Sequence, residues 1–299
     1  MNLVLEKYPN VIQWILQKKT ETKQKKEIKE LSYPLKDDLL TNSTEPTTLE
    51  NTEREKKVED LLSKCASTLK KETSPKWILV ITHFEESLGS LEKYFPQTYE
   101  ILYIYHKGDP SKTYQDYGLN VEKEKLKWIC LENVGREGHT ILHHCLSLLS
   151  NESTKKEDFT IFMQAGIEDH LPYIYTGHHF NKYFENGYVC PTLDWVTNEK
   201  RIHHNETNKK LLSQELLQES PLTLKEYYEY ILGRFWPLEG KIPVSYHNCF
   251  SVKNSRILQH SKSFYIRALS TLNKSNNPEE GHYFERLTRV IYDSSNPIL

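Results

Sequence analysis

Four short apolar runs constrain this chain more than anything else in it: "WILVITHF" (Trp77–Phe84), "EILYIYH" (Glu100–His106), "LKWICLE" (Leu126–Glu132) and "DFTIFMQ" (Asp158–Gln164). Each is dense in β-branched and aromatic residues and too short for an ordinary helix, the pattern of a strand covered on both faces. Helix-compatible sequence lies between them. Ser87–Tyr94 follows the first run, and Ile141, Leu142, Cys145, Leu146 and Leu149 recur at helical spacing after the third. Strands alternating with helices predict an α/β fold, a mainly parallel sheet with flanking helices.

The residues that close each run are of another kind. "THFEES", "HKGDPSK", "ENVGREGH" and "QAGIEDH" follow the four runs in turn, so polar, charged and glycine residues gather at the same end of every expected strand. In open α/β sheets ligands bind in the crevice outside the carboxyl ends of the strands. The candidate site therefore belongs at that edge, with His83, Glu85 and Glu86 behind the first run and Gln164, Asp169 and His170 behind the fourth.

Residues 1–75 read differently. They contain no glycine and are rich in lysine and glutamate, with an amphipathic helical pattern over Leu3–Leu16 and a second at Val58, Leu61, Leu62, Cys65 and Leu69. The weakly apolar stretch "TNSTEPTTLENTE" between them reads as a linker near residues 41–54. The expected organisation is an N-terminal helical appendage (1–75) followed by an α/β domain (76–299).

With 39 Lys and Arg against 41 Asp and Glu, the chain has no net field that would draw nucleic acid. The basic run Lys18–Lys29 is interrupted by acids, as a solvated helix face is. No apolar run reaches the length of a membrane span. Five scattered cysteines, none in a C-x-x-C pair, fit reduced thiols and a cytoplasmic location. Export without a cleavable signal peptide is the alternative, because Glu6, Lys7 and Pro9 break the N-terminal apolar stretch.

The densest motif is "ENVGREGHTILHHC" (Glu132–Cys145). Asn133, Gly135 and Gly138 suit a tight turn or a close backbone approach. Free N–H groups at the start of the following helix, with Arg136, would suit a diphosphate. The spacing matches neither a P-loop nor a dinucleotide fingerprint. A glycine-bearing helix entry with an Arg136–Glu137 ion pair is the plainer reading of the same residues. His139 and His143 share a helical face, which opens a zinc reading with His170 as third ligand. Asp169 could hold a divalent cation against a diphosphate, or cap a loop.

Near the C-terminus "NNPEEGHYFERLTRVIYD" predicts a helix with Asn277 as N-cap, Pro278 in its first turn and Glu279 and Glu280 at its positive end. Tyr283, Phe284, Leu287, Val290 and Ile291 form its apolar stripe, Glu285 and Arg289 can pair one turn apart, and His282 and Glu285 could face a cleft.

"NVGREGH" followed by "HH", the strand "FMQAG" leading to "DH", and then "VSYHNCFSV", "SFY" and "PEEGHYFERL" resemble a bacterial and fungal family filed as domain-of-unknown-function family 3431. The resemblance covers roughly Trp77–Tyr292, and members look like relatives of GT-A-type nucleotide-sugar glycosyltransferases. It implies that His83, Glu85 and Glu86 border the nucleobase or ribose and that the Asn133–His139 turn lies beside the diphosphate. It also implies that Asp169 stands near a metal carboxylate position, for Mg²⁺ or Mn²⁺, and that Glu285 faces the acceptor. The sequence departs from the pattern at three places. No D-x-D is present, "QAG" stands where Q-G is commoner, and Thr288 replaces a common tryptophan.

The leading expectation is transfer of a sugar from a nucleotide-sugar donor to an unspecified acceptor (glycan, lipid or protein), with Glu137 or Asp194 as general base. Two other classes stay open. One is a metal-dependent hydrolase built on His139, His143 and His170; the other is a non-catalytic α/β module that binds a sugar or a protein.

Overall fold

The computed structural model describes residues 76–95, 97–150, 158–197, 206–238 and 240–293. The expected N-terminal helices, their linker and Cys65 lie outside them.

All four runs are strands: β1 (Trp77–His83), β2 (Ile101–His106), β3 (Leu126–Cys130) and β4 (Phe159–Gln164). They pair in parallel in the order β3-β2-β1-β4. The sheet is extended by β5 (Tyr188–Val189) and β8 (Phe250–Lys253), with β8 antiparallel to both β4 and β5. The result is a mixed, mostly parallel six-stranded sheet, and the antiparallel pairing was not foreseen. A separate two-stranded sheet joins β6 (Leu193–Thr197) to β7 (Lys241–Ser245).

Helices α1 (Leu91–Tyr94), α2 (Arg136–Leu149), α3 (Glu206–Ser213), α4 (Leu224–Leu232), α5 (Asn254–Ile257), α6 (Lys262–Leu272) and α7 (Glu279–Tyr292), with four short 3₁₀ helices, complete the described elements. The first is shorter than its sequence suggested. One face of the sheet, carrying Trp77, Leu79, Ile81, Leu102, Ile104, Ile161 and Met163, packs on Leu88, Leu91, Phe180 and Tyr183. On the other face Tyr103, Tyr105 and Phe162 meet His144 of α2. β3, an edge strand, is only partly covered, whereas β1 and β4 are buried on both faces.

The helix α7 differs from its sequence reading in two respects. Its N-cap is Pro278, not Asn277, and Arg289 pairs with Asp293 at 3.5 Å rather than with Glu285. The acids of its first turn are buried in specific contacts: Glu279 accepts from the Ser220 N–H at 3.0 Å, and Glu280 accepts from Lys274 at 2.7 Å. Thr288 meets Ser245 (2.6 Å) and Tyr188 (3.2 Å) in a buried hydroxyl cluster. A small hydroxyl there satisfies polar groups that a tryptophan would leave unpaired.

Candidate functional site

With the order β3-β2-β1-β4, the strand sequence reverses between β1 and β4, so the crevice of an open α/β sheet falls between the ends of these two strands. His83 and Gln164, the last residues of β1 and β4, stand at it, but on opposite faces of the sheet.

On the His83 side the polar groups face one another. His83 Nδ1 lies 2.9 Å from His106 Nδ1, and the two Nε2 atoms face the carbonyl oxygens of Glu86 (2.8 Å) and Asp109 (2.9 Å). Two neutral rings bring two protons to these three contacts, so the set is complete only with a third proton; burial of His83 opposes that, lowering its pKa. Glu85 accepts from the Asp109 N–H (2.8 Å), Lys112 (2.9 Å) and the Tyr117 hydroxyl (2.9 Å). The Lys112 and Asp109 bonds, then Tyr117, hold its carboxyl down at about 2. The Glu86 carboxylate accepts from the Phe84 N–H at 2.8 Å. These residues lock the loop after β2 to the end of β1.

The motif after β3 departs from a phosphate cradle. The N–H groups of Gly135 and Arg136 donate to the carbonyls of Ser275 (2.8 Å) and Asn276 (3.2 Å), so the first amides of the turn are already used. Gly135 has φ +64°, and a Cβ there would lie 2.6 Å from the Leu272 Cβ and 2.8 Å from its carbonyl oxygen. A Cβ on Gly138 would lie 3.0 Å from the Phe284 ring. Both glycines thus let α2 pack against α6 and α7, the tight turn and close backbone approach that the sequence suggested. Asn133 is exposed ahead of the turn.

Lys107, next after β2, went unassigned in the sequence. Its ammonium is buried and donates to the carbonyls of Val134 and Arg136, both at 2.6 Å. Burial lowers its pKa to about 8, against the pull of Glu137. This staple holds Arg136 in a left-handed conformation, φ +52°, that non-glycine residues seldom adopt.

From there a connected set of side chains crosses to β4. Arg136 Nη1 donates to His282 Nε2 at 2.8 Å, and Arg136 Nε faces Glu137 at 3.4 Å. The same His282 nitrogen lies 3.1 Å from Asn277 Oδ1, which also accepts from Arg136 Nη1 at 3.4 Å. Burial first, then Arg136 and Arg286, push the His282 pKa down to about 2. His282 Nδ1 is 3.8 Å from Glu285, whose other oxygen accepts from the His247 N–H. The His247 carbonyl in turn accepts from Gln164 Nε2 at 2.7 Å, and Gln164 Oε1 meets His170 Nε2 at 2.8 Å. His247 and Asn248 both have positive φ (+70° and +50°), strain that clamps on both sides of the His247 peptide hold in place. The His247 ring stacks on Tyr173 at 4.5 Å. His247 is the second residue the sequence did not mark; it stands within "VSYHNCFSV", but its backbone geometry leaves no trace in a lone sequence.

The two carboxyls of this set are pushed apart. Burial raises Glu285, against Arg286 and Arg136. Burial also acts to raise Glu137, but Arg136, its own N–H and Lys107 together outweigh it and hold the carboxyl below its ordinary range. The charge of Glu137 is felt at both His170 and Glu285.

Other expected residues stand apart. Asp194 is exposed on β6, with the Trp195 N–H at 2.7 Å and the Tyr246 hydroxyl at 3.4 Å. His139 and His143 are neighbours, ring centroids 6.3 Å apart, each with an unpartnered buried Nδ1; burial and then Lys107 lower both pKa values, His139 to about 4. Among the described residues no three His, Cys, Asp or Glu side chains group as metal ligands, so the zinc set of His139, His143 and His170 is not assembled. Asp169 is exposed beside Gly166. Two surface clefts of about 620 and 540 Å³, by Arg256 and Arg289 and by Arg234 and His260, include none of the candidate residues. Among the described residues no helix is long and apolar enough to cross a membrane. No protein-family model matches the chain, and no curated protein matches it.

Proposed function

We propose that the chain is a GT-A-type, glycosyltransferase-like protein that moves a sugar from a nucleotide-sugar donor to an acceptor hydroxyl. The observation that carries this reading is Arg136: its side chain, about a third exposed, is fixed by His282 at the carboxyl edge of the sheet, with the Lys107 ammonium on its backbone carbonyl. A diphosphate beside Arg136 would meet a planar donor already oriented, so little reorganisation is needed as charge develops. In the transfer the acceptor oxygen bonds to the anomeric carbon and the bond from that carbon to the diphosphate breaks. The electron pair goes to the phosphate oxygen that faces Arg136.

Glu137, kept ionised, orients Arg136 and is a poor choice of base for that reason. Glu285 holds the peptide of His247. Asp169 and its exposed neighbour Glu168 belong to no group of three metal-ligating side chains among the described residues, and the positive charge in this reading comes from Arg136 and Lys107. His83, Glu85 and Glu86 lie at the crevice but are occupied with one another, which favours a supporting role for them.

The test is release of nucleoside diphosphate from a panel of nucleotide sugars, followed by chromatography. Wild type should release it from at least one donor, and Arg136→Ala should do so about 100-fold more slowly, as loss of a charged hydrogen bond to a developing anion requires. Equal release by both proteins removes the arginine's role, and no release from any donor removes the reading.

A further inference from the structure

We propose that His170 is the base that takes the proton from the acceptor hydroxyl, and that Gln164 is the positioning residue that sets its tautomer. The proposal rests on the sugar-transfer reading above and names a group that Glu137 and Asp194 were expected to supply.

The Gln164 amide sets the tautomer. Its two ends are fixed by chemistry: the end 2.7 Å from the His247 carbonyl must be the NH₂, because a carbonyl only accepts. The other end, Oε1, is then an acceptor 2.8 Å from His170 Nε2, so that nitrogen carries the ring proton. A neutral imidazole has one N–H, which leaves Nδ1 with its lone pair. Nδ1 makes no hydrogen bond to a described residue. The amide is itself held, because the His247 peptide it grips is secured at its N–H by Glu285. A base within reach of a substrate proton, oriented by a second group that is oriented by a third, is the arrangement that activated-nucleophile sites share.

The position fits as well. His170 lies in the helical turn that follows β4, at the crevice between β1 and β4, and the charge of Glu137 reaches it from the Arg136 side. The proton of the acceptor hydroxyl passes to Nδ1 as the acceptor oxygen bonds to the anomeric carbon. The imidazolium formed lies beside Asp169, whose charge favours it, and returns its proton to solvent after the diphosphate leaves.

Two measurements on the full chain test this. Ring ¹⁵N spectra of the wild type should show His170 as the Nε2–H tautomer, and Gln164→Leu should convert it to a tautomer mixture; an Nδ1–H form in the wild type overturns the proposal without any activity assay. With water as acceptor, His170→Ala should lower nucleoside diphosphate release from nucleotide sugars by 100-fold or more, with KM little changed and added imidazole restoring part of the rate. Unchanged release by His170→Ala overturns the base while leaving the sugar-transfer reading in place. If wild type releases nothing from any donor, that reading fails, and this proposal with it.

Discussion

The two sides of the crevice are built from the same kinds of residue and come to opposite ends. Beside β1, two histidines, a glutamate, a lysine and a tyrosine close on one another, and Glu85 alone receives three hydrogen bonds. Beside β4, histidines, glutamates, an arginine and a glutamine are equally connected, yet two of the groups so oriented keep an open end. Arg136 keeps part of its side chain exposed, and His170 keeps a ring nitrogen. Polar density at a strand end thus locates an edge. Whether the edge can act depends on which donors and acceptors are already used.

Substitutions can break this contrast, and the largest effect is expected at its glycines. Gly135→Ala combines a positive φ with contact against the Leu272 backbone, and should cost about 3 kcal/mol or more in urea unfolding. Gly108→Ala, on the closed side, meets the Phe84 backbone carbonyl, the His106 ring and the Glu85 carboxylate, which three hydrogen bonds hold in place. It should cost a similar amount, about 3 kcal/mol. A much smaller loss at Gly108 would mean that the closed side is the less rigid of the two.

Next in size is acid sensitivity. His144 is fully buried, one ring nitrogen meets the Tyr105 hydroxyl at 2.9 Å, and burial lowers its pKa to about 3. A histidine whose folded pKa lies below its unfolded value is neutral in the native state while the unfolded chain takes up a proton. Its contribution is therefore whole above about pH 6.5 and is lost as pH falls from there towards the folded pKa. At 1.36 kcal/mol per pH unit, His144 alone should remove about 2 kcal/mol by pH 5. His139 and His282, lowered to about 4 and about 2, act in the same sense. The urea midpoint should fall between pH 7 and pH 5, and His144→Phe should flatten that slope by about one proton. A midpoint insensitive to pH in this window would contradict the burial of neutral rings.

Glu285→Ala should cost about 1–3 kcal/mol, since it leaves the His247 N–H without its acceptor, and should abolish donor turnover as the His247–Gln164–His170 chain loosens. Glu85→Ala is the smallest expected effect. It should speed amide exchange at Asp109, whose N–H it releases, while turnover persists. Loss of turnover in Glu85→Ala with retention in Glu285→Ala would invert the contrast.

Much of the fold was legible in the sequence because four strands buried in a parallel sheet have to be continuous apolar runs, and their ends were correctly placed to within two residues. The antiparallel β8 and the short β5 were not legible. Each is a few residues long, and their pairing is decided by tertiary contacts such as Phe162 against Phe250. For the site, the edge criterion reached His83, Glu85, Arg136, Gln164 and His170. It could not separate Glu85, consumed by Lys112 and Tyr117, from Arg136, because the partners come from distant segments. It also passed over Lys107, which follows His106 directly at the end of β2. The glycines of "GREGH" suggested a tight turn or a close backbone approach, and the approach is that of α6 and α7 to α2.

In the proposed function Arg136 marks an anion site for a nucleoside diphosphate. A thermal-shift panel of free nucleoside diphosphates and nucleotide sugars, run on wild type, Arg136→Ala and Glu85→Ala, tests it most directly. A ligand bound by the folded state alone raises stability by mass action, about 2.7 kcal/mol at a hundred times its Kd. The expected result is a raised melting temperature with one nucleotide class, lost in Arg136→Ala and kept in Glu85→Ala. No shift in folded wild type, or a shift that survives Arg136→Ala and disappears in Glu85→Ala, would contradict it.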